Sequence, residues 1–330
     1  MSQPLDTLAP TFLAYLRAEQ GNQDIDYTIP LTPLRGGFET QIYHFQLSGT
    51  HGAWAGPLIL RLYPPRYGTR NAVWESTVQN TLAAAGYRVP KVHLVCTEMA
   101  VLGGAFFVMD FLSGAPLIAA PPTSVPMLLG QSHAELHQID PQPLIAALAE
   151  QHIDDRNYRL QSRFDELIRK APQHPRLRPA IDWLLRNRPP EPAQLAICHG
   201  DFHPLNLLIE NGMVSGVLDW PGFVISDPAM DVATTLVLAT IPIKHIAPQL
   251  GIEFPPAAVE PFVRSYFEAY QAVRPLDKTH LEYYQVFRVV KALIEGAEGQ
   301  TIWQHPAIVA DLVAYVHHVT AIRLALSANE

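Results

Sequence analysis

The run from His199 to Trp220, HGDFHPLNLLIENGMVSGVLDW, constrains this chain more than any other stretch, because it encodes a tight hairpin with polar residues at its open end. Leu205 to Glu210 is mostly apolar, Asn211-Gly212 supplies the two left-handed positions of a type I′ turn, and Met213 to Leu218 runs back. A two-residue turn sets Ile209 opposite Val214, Leu208 opposite Ser215 and Asn206 opposite Val217. Strand side chains alternate, so Asp219 is expected one step diagonal from Asn206 and on the same face. Asp201 sits in the loop just before the hairpin. Local geometry alone is thus expected to bring Asp201, Asn206 and Asp219 together. Two carboxylates and an amide suit a hard divalent cation, Mg²⁺ especially, which fills its remaining positions with phosphate and water. A rival set is His199, Asp201 and His203, imidazole and carboxylate ligands that would suit Zn²⁺ or Mn²⁺ in a metal hydrolase, although no downstream cluster completes it.

An Asp, an Asn five positions on and a later Asp at a strand end is also the layout of a kinase active site. There the first Asp accepts the substrate hydroxyl proton, while the other two residues hold metal. HGDFHPLN followed by GVLDW and SDPAMDVA resembles the aminoglycoside phosphotransferase/choline kinase family of small-molecule kinases. The resemblance implies an α+β, two-lobed protein-kinase-like fold. Its N-terminal antiparallel β-sheet lobe with one key helix would take residues 1–112, and a larger, mainly helical lobe carrying the catalytic hairpin would take 113–330. Carried over by position, Asp201 is the catalytic Asp, Asn206 and Asp219 are the Mg²⁺ ligands, and ATP is the phosphate donor. His199 would brace the catalytic loop, and His203 would contact the γ-phosphate or brace the same loop. Asp227-Pro228 reads as a helix start, with Asp227 as cap and Pro228 in the first turn. The family matches these two residues and Asp231, in architectural roles. Between Asp219 and this helix there is only a short link where a protein kinase carries a long activation segment, which argues for a small-molecule substrate.

Upstream, Leu5, Leu8, Phe12, Leu13 and Leu16 recur at helical spacing. PLRGGFETQIYHFQL reads as strand, glycine turn, strand, and the resemblance sets Gly36 and Gly37 over the nucleotide phosphates. PLILRLYPP is a strand with the cation Arg61 at its apolar centre, a charge that must be paired. A partner follows in the helix NAVWESTVQNTLAAAG, which has Val73, Trp74, Val78 and Leu82 as its core and carries Glu75. The family usually has Lys at the strand position. Arg keeps the charge and can fork onto phosphate or carboxylate. Val89–Val95 and Ala105–Phe111 read as two more strands, and the second resembles the interlobe segment. Met109 would then line the adenine pocket, with Asp110, Phe111 and Leu112 offering backbone groups. His133 and His137 lie four apart on a helix, a metal-binding spacing, but match family positions with a packing role. The last helical segments would wall the acceptor pocket. Tyr283, Tyr284, Arg288 and Glu295 are the residues of interest there, most of them expected at the surface.

Net charge of −8 argues against a nucleic-acid partner, which would call for a basic face. Two cysteines, Cys96 and Cys198, make no disulfide framework. The start MSQPLD lacks the basic residues and apolar core of a signal peptide, and no uninterrupted apolar run approaches the length of a membrane span. The expectation is a cytoplasmic protein, monomer or homodimer, acting on a small-molecule hydroxyl substrate with ATP and Mg²⁺, and using neither nucleic acid nor membrane. Arg61 in place of Lys leaves open a nucleotide-binding module that no longer transfers phosphate.

Overall fold

In the segment PLILRLY, alternation decides the layering: Leu58, Leu60 and Leu62 point to one side of a sheet, and Ile59, Arg61 and Tyr63 to the other. The computed structural model describes residues 4–34, 40–192 and 194–325. The strands are β1 (Asp26–Pro33), β2 (Gln41–Ser48), β3 (Pro57–Leu62), β4 (Val92–Cys96), β5 (Phe106–Asp110), β6 (Ala115–Pro116), β7 (Ala196–Cys198), β8 (Leu207–Glu210), β9 (Met213–Val217) and β10 (Val224–Ser226). The helices are α1 (Leu5–Glu19), α2 (Arg70–Ala84), α3 (Met99–Leu102), α4 (Ser124–Gln138), α5 (Gln142–Glu150), α6 (Leu160–Lys170), α7 (Arg178–Arg186), α8 (Pro228–Thr240), α9 (Ile243–Ile246), α10 (Val259–Val273), α11 (Leu281–Ala297) and α12 (Pro306–Thr320).

The chain forms two compact units. One holds residues up to Gly114 with Pro143–Ile153 and Ser215–Pro221, and the other holds the remainder. The sequence expectation placed one boundary after residue 112; the first unit also takes in Pro143–Ile153 and Ser215–Pro221. The end of β9 and the residues just after it are tied to the first unit. Val217 N–H donates to Arg88 O at 2.8 Å, and the Tyr87 and Trp220 rings meet edge-on at 6.2 Å.

In the first unit the sheet runs β1-β2-β3-β5-β4 with every neighbouring pair antiparallel. On one face, Leu8, Phe12 and Leu16 of α1, spaced four apart, bury completely against Phe45, Leu58, Leu60 and Phe106. Each such side chain contributes about 1.5–3 kcal/mol. The Phe12 ring stands edge-on to Phe45 and Phe106 at 5.3 and 5.8 Å. The opposite face carries Ile59, Tyr63, Val92, Phe107 and Met109, with Ala72 of α2 packed on it. Arg61 therefore belongs to the face that meets α2, which is why Glu75 can reach it.

The second unit is mainly helical. α4 packs along α10, α8 along α11, and α11 along α12. A short antiparallel pair, β7 with β10, sets Cys198 opposite Val224. Asp227 caps α8 by accepting from Ala229 N–H at 2.8 Å, with Pro228 in the first turn, as the sequence indicated. Pro228–Leu250 is, by length and composition alone, apolar enough to cross a membrane. Yet 72% of its apolar window is buried inside the protein, the mark of a core helix.

At the centre of this unit lies Asp231 of α8, with no exposure. Its Oδ2 accepts from His199 N–H at 2.5 Å, His133 Nε2 at 2.9 Å and His137 Nε2 at 3.2 Å, while Oδ1 accepts from Gly200 N–H at 2.8 Å. The histidines are turned by Tyr266 and Tyr270, whose hydroxyls lie 2.8 and 2.7 Å from the two Nδ1 atoms. With the hydroxyls donating, both Nε2–H groups face the carboxylate. Burial alone would raise the Asp231 pKa, but the charge and hydrogen bonds from His133 and His137 hold it well below the carboxylate range. Burial, with the charge of His133, pushes His137 down to about 3. Between pH 6.5 and 3 an unfolded chain thus binds a proton at His137 that the native chain refuses. Stability should fall as pH drops through that window, by about 1.4 kcal/mol per unit for this one proton. Urea midpoints measured across the window should show this slope in the wild type and a shallower one in His137→Gln. Replacing the carboxylate itself, Asp231→Asn, turns two donors onto donors and should cost about 3–5 kcal/mol in the same unfolding assay.

Candidate active site

Chain direction changes abruptly after β7. Gly200 is left-handed at φ 81°, and a Cβ there would fall 2.2 Å from Gly222 O, so no other residue fits. The turn presents Asp201 with its backbone held. Asp201 N–H donates to His199 Nδ1 at 3.2 Å, and His199 is itself fully buried, the bracing role the resemblance implied. Asn206 Nδ2 donates to Asp201 O at 3.0 Å and Oδ2 at 3.3 Å. His203 Nε2 lies 3.4 Å from the same Oδ2, and its Nδ1 accepts from Leu205 N–H at 3.3 Å. His203 thus buttresses Asp201 from within the loop. Burial would raise the Asp201 pKa, yet the His203 hydrogen bond and charge, with the charges of Arg288 and His199, hold it far below the ordinary carboxylate value. Asp201 is an anion at neutral pH, with a side chain 42% exposed.

The hairpin follows as the sequence indicated: Asn211 and Gly212 have φ 52° and 76°, the two left-handed positions of the turn between β8 and β9. Its ends do not. Asn206 precedes β8 and Asp219 lies past the end of β9, with Asp219 itself left-handed at φ 68°. The strand alternation that was to direct Asp219 therefore stops short of it.

Tertiary partners direct it instead. Arg61 Nη2 donates to Asp219 Oδ1 at 2.8 Å, and Arg61 Nη1 lies 3.1 Å from Glu75 Oε1. Tyr63 OH donates a short hydrogen bond to Glu75 Oε2, and Gln79 Nε2 donates to Oε1 at 3.4 Å. Arg61 is 8% exposed and Glu75 not at all. Burial would lower the Arg61 pKa, but Glu75, Tyr63 and Asp219 more than reverse it. Burial raises Glu75, against the pull of Arg61. Arg61 Nε is buried without an acceptor, a spare donor in a site already rich in charge. Sequence reasoning found Arg61 and Glu75 but missed Tyr63 and Gln79. Their signal was present: Tyr63 shares the Arg61 strand face, and Gln79 is one helical turn beyond Glu75.

Met109 is 7% exposed on the Arg61 side of the sheet, beside Ile59. In the segment after it, Asp110 N–H donates to Lys91 O at 3.0 Å and Phe111 N–H to Pro57 O at 3.2 Å, so two of the three backbone donors proposed for a base are already spent. The Asp110 carboxylate pairs with His93 Nε2 at 2.6 Å. Leu112 lies against Gly216, whose added Cβ would meet Leu112 Cδ1 at 2.5 Å. Gly36 and Gly37 lie outside the described residues.

The surface expectation for Tyr283, Tyr284, Arg288 and Glu295 fails. The first three are 7%, 1% and 7% exposed, and the Glu295 side chain is 14% exposed. They lie on α11, which is packed on three sides by α7, α8 and α12, and Tyr283 OH donates to Leu184 O at 2.8 Å. The hydrolase ligand set also fails. Among the described residues the one acid–histidine trio close enough to share a metal is His133, His137 and Asp231, and its ligand atoms are engaged with one another and with Tyr266 and Tyr270.

Comparison with known proteins gives a family and a fold. Residues 30–276 match the family described as phosphotransferase enzyme family. A Ralstonia eutropha structure, described provisionally as an aminoglycoside phosphotransferase, superposes with TM-score 0.66 at 18% identity, over 94% of this chain and 98% of that one. A thermostable mutant of aminoglycoside phosphotransferase APH(4)-Ia, in a ternary complex with AMP-PNP and hygromycin B, gives TM-score 0.60 at 18% identity, over 95% of this chain and all of the other. Among curated sequences, acyl-CoA dehydrogenase family member 11 of Gallus gallus is 29% identical over 171 residues, 48% of this chain. The chain spans about a fifth of the length of the curated relatives it matches. Its family match over residues 30–276 places the chain in the phosphotransferase enzyme family, with a kinase-like α+β fold.

Proposed function

We propose that this protein is an ATP-dependent kinase that moves a γ-phosphate onto a hydroxyl of a small molecule. The observation that carries the reading is the Asp201–Asn206 pair, an ionised carboxylate held by an amide on a loop that cannot shift without breaking Asp231's bonds. Asp201 orients the acceptor hydroxyl and receives its proton. As an anion beside the acceptor, it can take up the hydroxyl proton as the new P–O bond forms. Positioning of this kind suits the loose transition state of phosphoryl transfer. Asn206 and Asp219 offer the oxygen ligands that Mg²⁺ requires. Bound there, Mg²⁺ would neutralise charge between the phosphates. Arg61, steadied by Glu75, would grip the non-transferred phosphates, and its spare Nε–H fits an anion. Gly36 and Gly37 would cover the phosphates, and Met109 would hold the adenine together with backbone groups of Asp110, Phe111 and Leu112 other than the two N–H groups already bonded. A cytoplasmic setting fits two buried, unpaired cysteines.

A second reading has one observation behind it. Arg61 is an arginine where the family resemblance calls for lysine, and its fork spans both Glu75 and Asp219. An arginine so engaged could lock a module that binds nucleotide and transfers nothing. Turnover separates the two readings.

Asp201→Asn should leave ATP affinity within about twofold by calorimetry while phosphate transfer falls by about 10²–10⁴; unchanged transfer would remove Asp201 from the mechanism. Arg61→Ala leaves Glu75 buried beside Tyr63 without its cation. Unfolding should then cost about 3 kcal/mol less, with weaker Mg·ATP binding, and Arg61→Lys should recover part of both.

A further inference from the structure

The β7–β10 ladder ends at the pair Cys198–Val224. Carried further in the same register, Gly200 faces Gly222, and the two backbones meet with no side chain between them. A Cβ on Gly200 would fall 2.2 Å from Gly222 O, and one on Gly222 would fall 3.4 Å from His199 O. The ladder cannot continue here, because Gly200 is left-handed and the N–H groups of His199 and Gly200 are turned to Asp231. The carbonyls opposite them lose the donors that a continued ladder would supply. Arg163 of α6 makes up the loss: its Nη2 donates to Gly222 O at 2.8 Å and to Phe223 O at 3.1 Å. One oxygen is thus held by a guanidinium and pressed against Gly200, the residue before Asp201. The base from which Arg163 reaches is firm. Phe164 and Leu167 beside it are buried, Ile225 N–H donates to Tyr158 O at 2.7 Å, and the Tyr158 ring stacks on Phe223 with centroids 6.4 Å apart.

We infer that Arg163 is a positioning residue for the catalytic loop: by holding Gly222 O it fixes the surface against which Gly200 turns, and so the direction in which Asp201 is presented. Arg163 touches no reacting group. Asp231 holds the N–H groups of the loop, and Arg163 holds the carbonyl on which the loop rests, so an anion and a cation clamp one turn from different partners. Arginine suits the place. Its Nη carries two N–H bonds fixed in a plane, one for each carbonyl, whereas lysine would offer its donors from a single, more strongly hydrated point. That Asp201 then serves phosphate transfer rests on the kinase reading; the clamp itself does not.

Hydrogen exchange followed by mass spectrometry on the full chain reads the loop directly. In Arg163→Gln the amides of His199 to Asp201 should exchange about tenfold faster, while peptides of α10 stay within about twofold of the wild type. Arg163→Lys should fall between the two, and Arg169→Gln, which removes an exposed cation of the same helix, should change neither. Turnover is measured in parallel with Mg·ATP, using water and a panel of sugars, amino alcohols and hydroxy acids as acceptors. Arg163→Gln should lose about 10–100-fold in kcat with KM for Mg·ATP within about twofold, since a misdirected Asp201 costs rate and not binding. Arg163→Lys should recover part of kcat. Loop exchange unchanged in Arg163→Gln, exchange rising equally in the loop and α10 in both variants, or a loosened loop with kcat undiminished would each overturn the inference. The two ideas fail separately. No transfer by the wild type to any acceptor would sink the kinase reading, and the exchange rates would still decide whether Arg163 holds the loop.

Discussion

Asp231 is the residue on which the rest depends. A carboxylate with no access to water survives only if its charge is answered, and here four N–H groups answer it: two from imidazoles on α4 and two from the backbone of the catalytic loop. The anion therefore joins α8, α4 and the loop after β7 at one point. Tyr266 and Tyr270 on α10 add a further layer, fixing which imidazole nitrogen faces the acid. The His133 ring also stacks on Phe202 at 4.1 Å, so the loop is held by ring contact as well as by hydrogen bonds. None of these groups need touch a substrate. Their work is to keep the Asp201 backbone where it is, and positioning is most of what phosphoryl transfer asks of a protein.

Arg61 plays a comparable part in the first unit, with a different balance. Its charge is answered by one fully buried acid and one half-exposed one, and Tyr63 takes up the second oxygen of Glu75. The cost of burying Arg61 is offset only while Glu75 stays ionised. Burial pushes Glu75 the other way, so the pair is interdependent. Such a site can exchange one anion for another. The carboxylate of Asp219 now occupies a donor that a phosphate oxygen could equally take.

Charged side chains on α11 are set by their neighbours in the same way. α11 is buried on most of its surface, so a charged side chain there is held in a fixed place by its neighbours. Trp303 flattens Arg288, Glu295 ties it to Lys291, and Arg163 is committed to carbonyls.

Residues near one another in the chain determined a good deal by themselves. The Asn-Gly turn, the Asp227-Pro228 helix start, the α1 stripe and the layering of β3 all follow from short-range rules, because turn chemistry, capping and side-chain periodicity need only a few neighbouring residues. The His-Gly-Asp motif also pointed to the right family from sequence alone. Tertiary structure decided the rest. Asp219 was placed by Arg61, 158 residues away, after the strand that was to direct it had ended. Tyr283, Tyr284 and Arg288 went inward because α11 is enclosed by other helices, a fact its own amphipathic pattern could not express. A hydrogen bond or an ion pair is short in space and blind to sequence distance, so the motif could name the chemistry while only the folded chain could aim it.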